Sequence, residues 1–456
     1  MNSETATSGE HPWRPILVAC LLGLAAYLIA RLGVSDQQAR LIGLVVGMVT
    51  LWTNEGLALG VVSLLPLILF PAVDVAPMGA IAGNYANPII FLFLGGFMLA
   101  IAVEKTGLHK QIAFRLLAVF PSSIRGMIFA LALAAGLLSA LLSNTTTALL
   151  LMPLALFLTE QPPLRARFAL AIAYGASIGG IMTPIGTPPN LILLGFMEQQ
   201  GVAAIPFVQW TGLVMPLAFA MFIGTSLLLA AGTGDRSLQR LERPADLTSE
   251  QRRLTWVLAA LLLLLLLNAP MEPFYPGLGL NEKAILLSFG LAMFVPVFGV
   301  LQWRDSKRIP YEIMFLFGAG FSIAHAFTST GLADAIGNGL LGISCLEPWL
   351  IILLVAVMIT FATEITSNTA LISMMLPVLY SVCTTAGLDT TLLTLVATIC
   401  ASYAFMLPIA TPPNAIAIAS GVVKPLTMLR FGLLLNLLSI VLITLVAQVY
   451  WRPLLT

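Results

Sequence analysis

The tripeptide Ser143-Asn144-Thr145 interrupts an apolar run and returns as Ser367-Asn368-Thr369, an offset of 224 positions. A second block, Thr183-Pro184-Ile185-Gly186-Thr187-Pro188-Pro189-Asn190, returns at the same offset as Leu407-Pro408-Ile409-Ala410-Thr411-Pro412-Pro413-Asn414. Shorter matches keep the register. Phe91-Leu92-Phe93 pairs with Phe315-Leu316-Phe317, Gly96-Phe97 with Gly320-Phe321, Thr106-Gly107-Leu108 with Thr330-Gly331-Leu332, and Pro153 with Pro377. About 100 residues align without a net insertion, which duplication explains and chance does not. Any fold for this chain must therefore accommodate two copies of one polar, helix-breaking pattern.

The background of those blocks is 59% hydrophobic and 9% charged over 456 residues, with a mean hydropathy of +1.00. Soluble domains carry about a quarter charged residues. Many runs here reach the roughly 20 apolar residues that cross a bilayer. The chain reads as an all-α polytopic membrane protein, with the lipid bilayer as its surroundings. Its net charge of +1 argues against a nucleic-acid partner. Cys20, Cys345, Cys383 and Cys400 lack metal-ligand spacing and read as packing residues, without a disulfide framework. The first apolar run, Ile16 to Ala30, lacks a small-residue cleavage site, so it reads as a membrane helix.

The pattern predicts eleven full crossings, starting near Pro15, Gln38, Leu57, Pro88, Ala166, Pro206, Leu254, Asn281, Pro310, Thr391 and Leu429. The stretches Gly126–Leu142 and Thr146–Thr159 are each short for a crossing, and the polar break falls between them. A re-entrant hairpin with the tripeptide at its tip fits better than two spans. Pro348–Cys383 repeats that arrangement, giving two hairpins. Ala166–Asn190 and Thr391–Asn414 read as helices broken by proline, which frees carbonyls and starts a new helix inside the membrane. Gly107–Phe120 mixes charged and apolar residues as an interfacial amphipathic helix does.

Charge sets the relative orientation of the copies. The first carries Lys105, Lys110, Arg115, Arg125, Arg165 and Arg167, whereas no Lys or Arg occurs from Ile309 to Val423. The positive-inside rule then anchors the first hairpin at the cytoplasmic face and the second at the outer face. The repeat is thus expected to be inverted, with a cytoplasmic N-terminus. The loops Gly234–Arg253 (Arg236, Arg240, Arg243, Arg252, Arg253) and Arg304–Arg308 fall inside. Arg31, Arg40 and Arg452 fall outside, against the rule.

Inverted repeats with broken helices meeting near the midplane are the architecture of secondary transporters. Hydroxyls, the Asn carboxamide oxygen and freed carbonyls can replace the hydration shell of a small cation. The Asn amide hydrogens, Thr hydroxyls and helix N-termini can donate to an anion. The blocks contain no Lys or Arg, so bound cations would balance an anionic substrate. Gly186 and Ala410 are equivalent small residues that let carbonyls approach an ion, and Ser139 and Thr363 are equivalent hydroxyls one turn before the tips.

One such block alone would read as helix-helix hydrogen bonding; four in one register with inverted flanks do not. Glu364, opposite Ala140 in the repeat, is open to two readings: a proton or cation ligand, or a satisfied buried carboxyl. His325 is expected to pack or hydrogen-bond, His11 and His109 to lie at the surface, and Glu55 to tie helices together. Gly95, Gly96, Gly318 and Gly320 read as close helix packing. No nucleophile-base pair, His-rich metal site or phosphate loop occurs, so the chain does not read as an enzyme.

The paired Ser-Asn-Thr motifs, both Thr-Pro-Pro loops, Phe91–Phe97 and Trp52-Thr53-Asn54-Glu55 resemble the divalent anion/sodium symporter family. Its members include bacterial sodium/dicarboxylate symporters and animal sodium-coupled carboxylate and sulfate transporters. The resemblance runs from about Trp52 onward. It implies a homodimer in the cell inner membrane, working by an elevator mechanism. Residues 1–122 and 233–344 would form the scaffold, and 123–232 and 345–456 the transport domain. It also implies at least two co-transported sodium ions, one held by Ser139, Ser143, Asn144 and Gly186 and one by Thr363, Thr366, Asn368 and Ala410. A dianionic carboxylate would meet Ser143, Asn144, Thr145, Ser367, Asn368 and Thr369, with Thr187, Pro188, Thr411 and Pro412 shaping the pocket. Thr366 departs from the small residue expected there, and Leu407 replaces the Thr183 of the first copy. The expected function is sodium-coupled import of C4-dicarboxylates such as succinate, malate and fumarate. Its rivals are a sodium-independent dicarboxylate/citrate exchanger of the same family and an anion channel, since re-entrant hairpins also build pores.

Overall fold

The computed structural model describes residues 13–54, 56–121, 123–202, 205–234, 246–270, 275–339 and 346–455. Every secondary-structure element among them is helical. Helices α1 (Arg14–Ala30) and α2 (Asp36–Asn54) lie side by side because glycines face each other. A Cβ on Gly23 would stand 2.7 Å from the Gly43 carbonyl oxygen. Leu17, Leu21, Leu28 and Ile29 of α1 are exposed, as suits a helix bathed in hydrocarbon. Then come α3 (Leu59–Ala72) and a short α4 (Met78–Asn84), which the sequence pattern does not predict.

The first copy of the repeat comprises α5 (Pro88–Thr106), α6 (Leu108–Val119), α7 (Ile124–Ser139), α8 (Asn144–Phe157), α9 (Pro162–Gly180) and α10 (Pro188–Gln199). Three helices separate it from the second: α11 (Phe207–Ala230), α12 (Ser249–Asn268) and α13 (Glu282–Ala292). The second copy comprises α14 (Tyr311–Ser329), α15 (Leu332–Gly339), α16 (Pro348–Ala362), α17 (Asn368–Ala386), α18 (Thr390–Ser402) and α19 (Pro412–Ala419). Helix α20 (Pro425–Val446) follows and runs through a π-turn, Ala447–Trp451, into α21 (Arg452–Leu455). Starts at Asn144 and Asn368, and at Pro188 and Pro412, keep the sequence offset.

Local chemistry sets these ends. Ser143 caps α8, its hydroxyl accepting from the Thr146 N–H at 3.1 Å. Prolines open α9, α10, α16 and α19, where a missing N–H costs nothing. The corners α5–α6 and α14–α15 turn at Gly107 and Gly331, with φ of 69° and 68°, a region closed to most side chains.

Packing joins the copies. Phe93 and Phe317, repeat equivalents, stack with ring centroids 4.3 Å apart. Gly95 packs against the backbone of α13, Gly318 against Tyr85 and Gly320 against Ser373, as the close-packing reading expects. One buried core gathers α5 to α13 with α16 to α20, a second joins α1 to α4 with α15, and α14 and α17 contribute to both.

Among the described residues, four helices are long and apolar enough to cross a membrane by length and composition: Met78–Thr106, Phe207–Ala230, Asn368–Ala386 and Pro425–Leu455. The third of these was expected as a hairpin arm and not as a crossing; of the other predicted crossings, α2, α9, α12 and α14 have 19 or 20 residues, and α1, α3, α13 and α18 are shorter. The one starting at Asn281 stops at Ala292, and turns follow through Pro296, which cannot continue a helix. His109 is not at the surface. It faces inward from α6, 2% exposed, with Nδ1 3.0 Å from the Val103 carbonyl oxygen. His325 is the reverse: α14 turns it outward, exposed. Arg31 and Arg40, which strain the charge rule, both pair with Asp36, at 3.4 and 2.6 Å. Glu55, His11, Cys345, Arg236, Arg240 and Arg243 lie outside the described residues.

Candidate functional site

Both tripeptides and both proline loops face one cavity of about 310 Å³. Four helix N-termini, those of α8, α10, α17 and α19, begin at residues on or beside its wall. All four carry partial positive charge, but α10 and α19 open with two prolines and lack the first N–H groups that α8 and α17 present. All ten residues expected to meet the substrate line the cavity: Ser143, Asn144, Thr145, Thr187, Pro188, Ser367, Asn368, Thr369, Thr411 and Pro412. Phe93, Phe97 and Ile313 form part of the apolar remainder. None of the lining residues is charged.

The residues expected to hold cations divide between the wall and the layer behind it. Ser143, Asn144, Gly186, Asn368 and Ala410 are in the wall; Ser139, Thr363 and Thr366 are behind it. The buried Ser139 hydroxyl donates to Asn144 Oδ1 at 2.5 Å. Its equivalent, the Thr363 hydroxyl, lies 2.6 Å from Asn368 Oδ1 and 2.8 Å from the Ala401 carbonyl oxygen. The Thr366 hydroxyl, in the turn between α16 and α17, donates to the Ala362 carbonyl at the end of α16 at 2.7 Å. A Cβ on Gly186 would stand 2.5 Å from the Gly180 carbonyl oxygen and 3.1 Å from that of Ser139. Only glycine fits that oxygen-rich corner.

The first loop is held by the Thr183 hydroxyl, which donates to the Ala140 carbonyl, and by Trp210 Nε1, which donates to the Ile181 carbonyl at 2.9 Å. The second, with Leu407 in place of threonine, is held by Glu364. One carboxylate oxygen accepts from the N–H groups of Phe405 and Met406, at 2.8 and 2.9 Å, and from Asn436 Nδ2 at 2.6 Å. The other accepts from Leu407 N–H at 2.9 Å. Of the two readings open for Glu364, the satisfied buried carboxyl describes this geometry.

Three residues outside the sequence-derived set support the loops. Asn190 donates to the Gly180 and Thr183 carbonyls, and Asn414 to those of Ala404 and Leu407. Their place at the end of each repeated block was the available signal. Asn436 on α20 has no repeat partner, and a lone Asn in an apolar helix could not have been assigned to Glu364. Among the described residues, no group of three or more His, Cys, Asp or Glu could hold a metal ion.

A family model described as "Citrate transporter" matches residues 48–399. The sodium-dependent dicarboxylate transporter SdcS of Staphylococcus saprophyticus is 30% identical over 484 residues, covering 96% of this chain and 92% of that protein. Its namesake from Staphylococcus aureus is 30% identical over 469 residues, covering 94% and 90%. Among solved structures, the Alcanivorax borkumensis YdaH transporter superposes with a TM-score of 0.59 at 17% identity, covering 97% of this chain and 98% of its own. Neisseria gonorrhoeae MtrF, described with a class of antimetabolite efflux pumps, gives 0.62 at 12% identity, covering 97% and 96%. These two share the fold. The match over most of the chain, together with the paired motifs gathered around one uncharged cavity, makes this protein a member of the citrate transporter family, within the divalent anion/sodium symporters, and a transporter rather than an enzyme.

Proposed function

We propose that the protein imports C4-dicarboxylates such as succinate, malate and fumarate, coupled to at least two sodium ions. The observation that carries this reading is the uncharged cavity wall beneath two oxygen clusters, each built on one tip asparagine. A dianion entering a wall without Lys or Arg needs its charge offset, and cations beside Asn144 and Asn368 would do so. Ser139, Ser143, Asn144 and Gly186 hold one sodium; Thr363, Thr366, Asn368 and Ala410 hold the other. Substrate carboxylates meet the tripeptides and the N-termini of the four helices, while Thr187, Pro188, Thr411 and Pro412 shape the pocket. The names of the staphylococcal relatives, sodium-dependent dicarboxylate transporters, point the same way.

The two copies are inverted in the inner membrane, and the hairpins α7–α8 and α16–α17 enter from opposite faces. Residues 123–232 and 345–456 move as a transport domain against a dimeric scaffold of 1–122 and 233–344. Extensive packing of α7 on α9 and α11, and of α16 on α18 and α20, supports a rigid moving body. The test is uptake into proteoliposomes. An inward sodium gradient should drive succinate accumulation above equilibrium. Counterflow without sodium dependence would instead identify an exchanger. Flux far above about 10⁶ per second would identify a channel, because the domain motions of a carrier take microseconds or longer.

A further inference from the structure

We propose that Asn190 and Asn414 are positioning residues that decide which backbone carbonyls are presented to the cation at each tip. The inference rests on the sodium-coupled reading above. Where α9 and α18 end, their last carbonyls lose intrahelical partners. The helices that restart beyond the break, α10 and α19, open with Pro188-Pro189 and Pro412-Pro413. Two successive prolines supply no N–H at the place where the freed carbonyls need donors. The next residue in each copy is asparagine, and its side chain provides the two missing hydrogens.

Asn190 Nδ2 donates to the Gly180 carbonyl at 3.1 Å and to the Thr183 carbonyl at 2.8 Å. Asn414 Nδ2 donates to Ala404 at 3.1 Å and to Leu407 at 3.0 Å. All three residues of each set keep the 224 offset, and both asparagines are 0% exposed. The copies differ in almost every other loop contact: Thr183 and Trp210 in one, Glu364 and Asn436 in the other. The amide clamp is therefore what both cation corners share.

Its consequence is selective. The Gly180 carbonyl borders the Gly186 corner closely enough to exclude a methyl group there. While Asn190 claims that oxygen and that of Thr183, the carbonyl of Gly186 is left for the ion. Asn414 does the same for Ala410 by claiming those of Ala404 and Leu407. Number and spacing of oxygens set the preferred cation size, so removing the clamp should change ion preference as well as affinity.

The test titrates sodium, lithium and potassium against thermal unfolding of the purified full-length protein, without substrate. Wild type should be stabilised preferentially by sodium. Asn190→Ala and Asn414→Ala should each raise the sodium concentration for half-maximal stabilisation about ten-fold, about 1.4 kcal/mol. Both should also narrow the preference for sodium over lithium and potassium, with Asn190→Ser and Asn414→Ser, which keep one donor, falling between. Folded variants with wild-type sodium titration and ion preference would overturn the proposal alone. Failure of all four variants to fold would also overturn it, assigning the amides to the fold. A wild type indifferent to sodium would instead overturn the coupling reading on which this one rests.

Discussion

Asn144 and Asn368 each belong to two environments: the side-chain oxygen meets a buried hydroxyl, while the tripeptide lines the cavity. On the proposed assignment, replacing either by alanine would remove a cation ligand and an anion donor together. Asn144→Ala and Asn368→Ala should each raise the half-saturating concentrations of both sodium and succinate, by about ten-fold if one net interaction of about 1.4 kcal/mol is lost from each ligand. Sodium and succinate titrations of uptake check this, and wild-type values for either ligand would refute the shared role. At this scale the sequence was legible where residue types repeat and blind where they do not. Repetition singled out the ten wall residues. Burial of a single histidine depends on which side of a helix its neighbours occupy, so His109, expected at the surface, is buried. Glu364 shows the same limit: only the arrival of three loop N–H groups and Asn436 reveals what its carboxylate does.

Helices α7 and α9 meet at Gly136, Gly175 and Gly179, where backbones touch. A Cβ on Gly179 would stand 2.1 Å from the Gly136 carbonyl oxygen. Gly179→Ala must push the first hairpin away from the broken helix. The expected cost is about 1–3 kcal/mol, typical of overpacking, and is measurable as a lower melting temperature with impaired uptake. Helix α6 carries a pH effect. Burial of His109 holds its pKa below the ordinary 6.5, so the unfolded chain takes up that proton first. Its contribution to stability is complete above about pH 6.5 and is lost as pH falls through the lower folded value. Melting temperatures measured from pH 7.5 to 5.5 should fall, and His109→Gln should flatten that fall.

For the whole molecule, the contact to watch joins α10 and α11 of the proposed transport domain to α13 of the proposed scaffold. Lys283 pairs with Glu198, and Glu282 accepts from the Phe207 N–H at 2.8 Å. If the transport domain slides past the scaffold, these contacts must part in every cycle. Glu198→Cys with Lys283→Cys, in a background lacking the natural cysteines, should be joined by a short thiol crosslinker. Joining them should abolish succinate uptake while leaving binding of sodium measurable. Full uptake after complete crosslinking would refute movement at this contact.

The chain's periodicity was enough to establish helices, a duplication and the two polar blocks in each copy, because these follow from local hydrophobicity and from residues that break helices. Convergence of the four blocks could be argued from the inverted charge flanks, but it depends on how distant helices pack. Tertiary structure alone decided that Phe93 and Phe317 meet, that Asn190 and Asn414 clamp the loop carbonyls, and that Glu364 is answered from α20. Those contacts join residues far apart in sequence, and no local pattern encodes the partner of a single buried polar group.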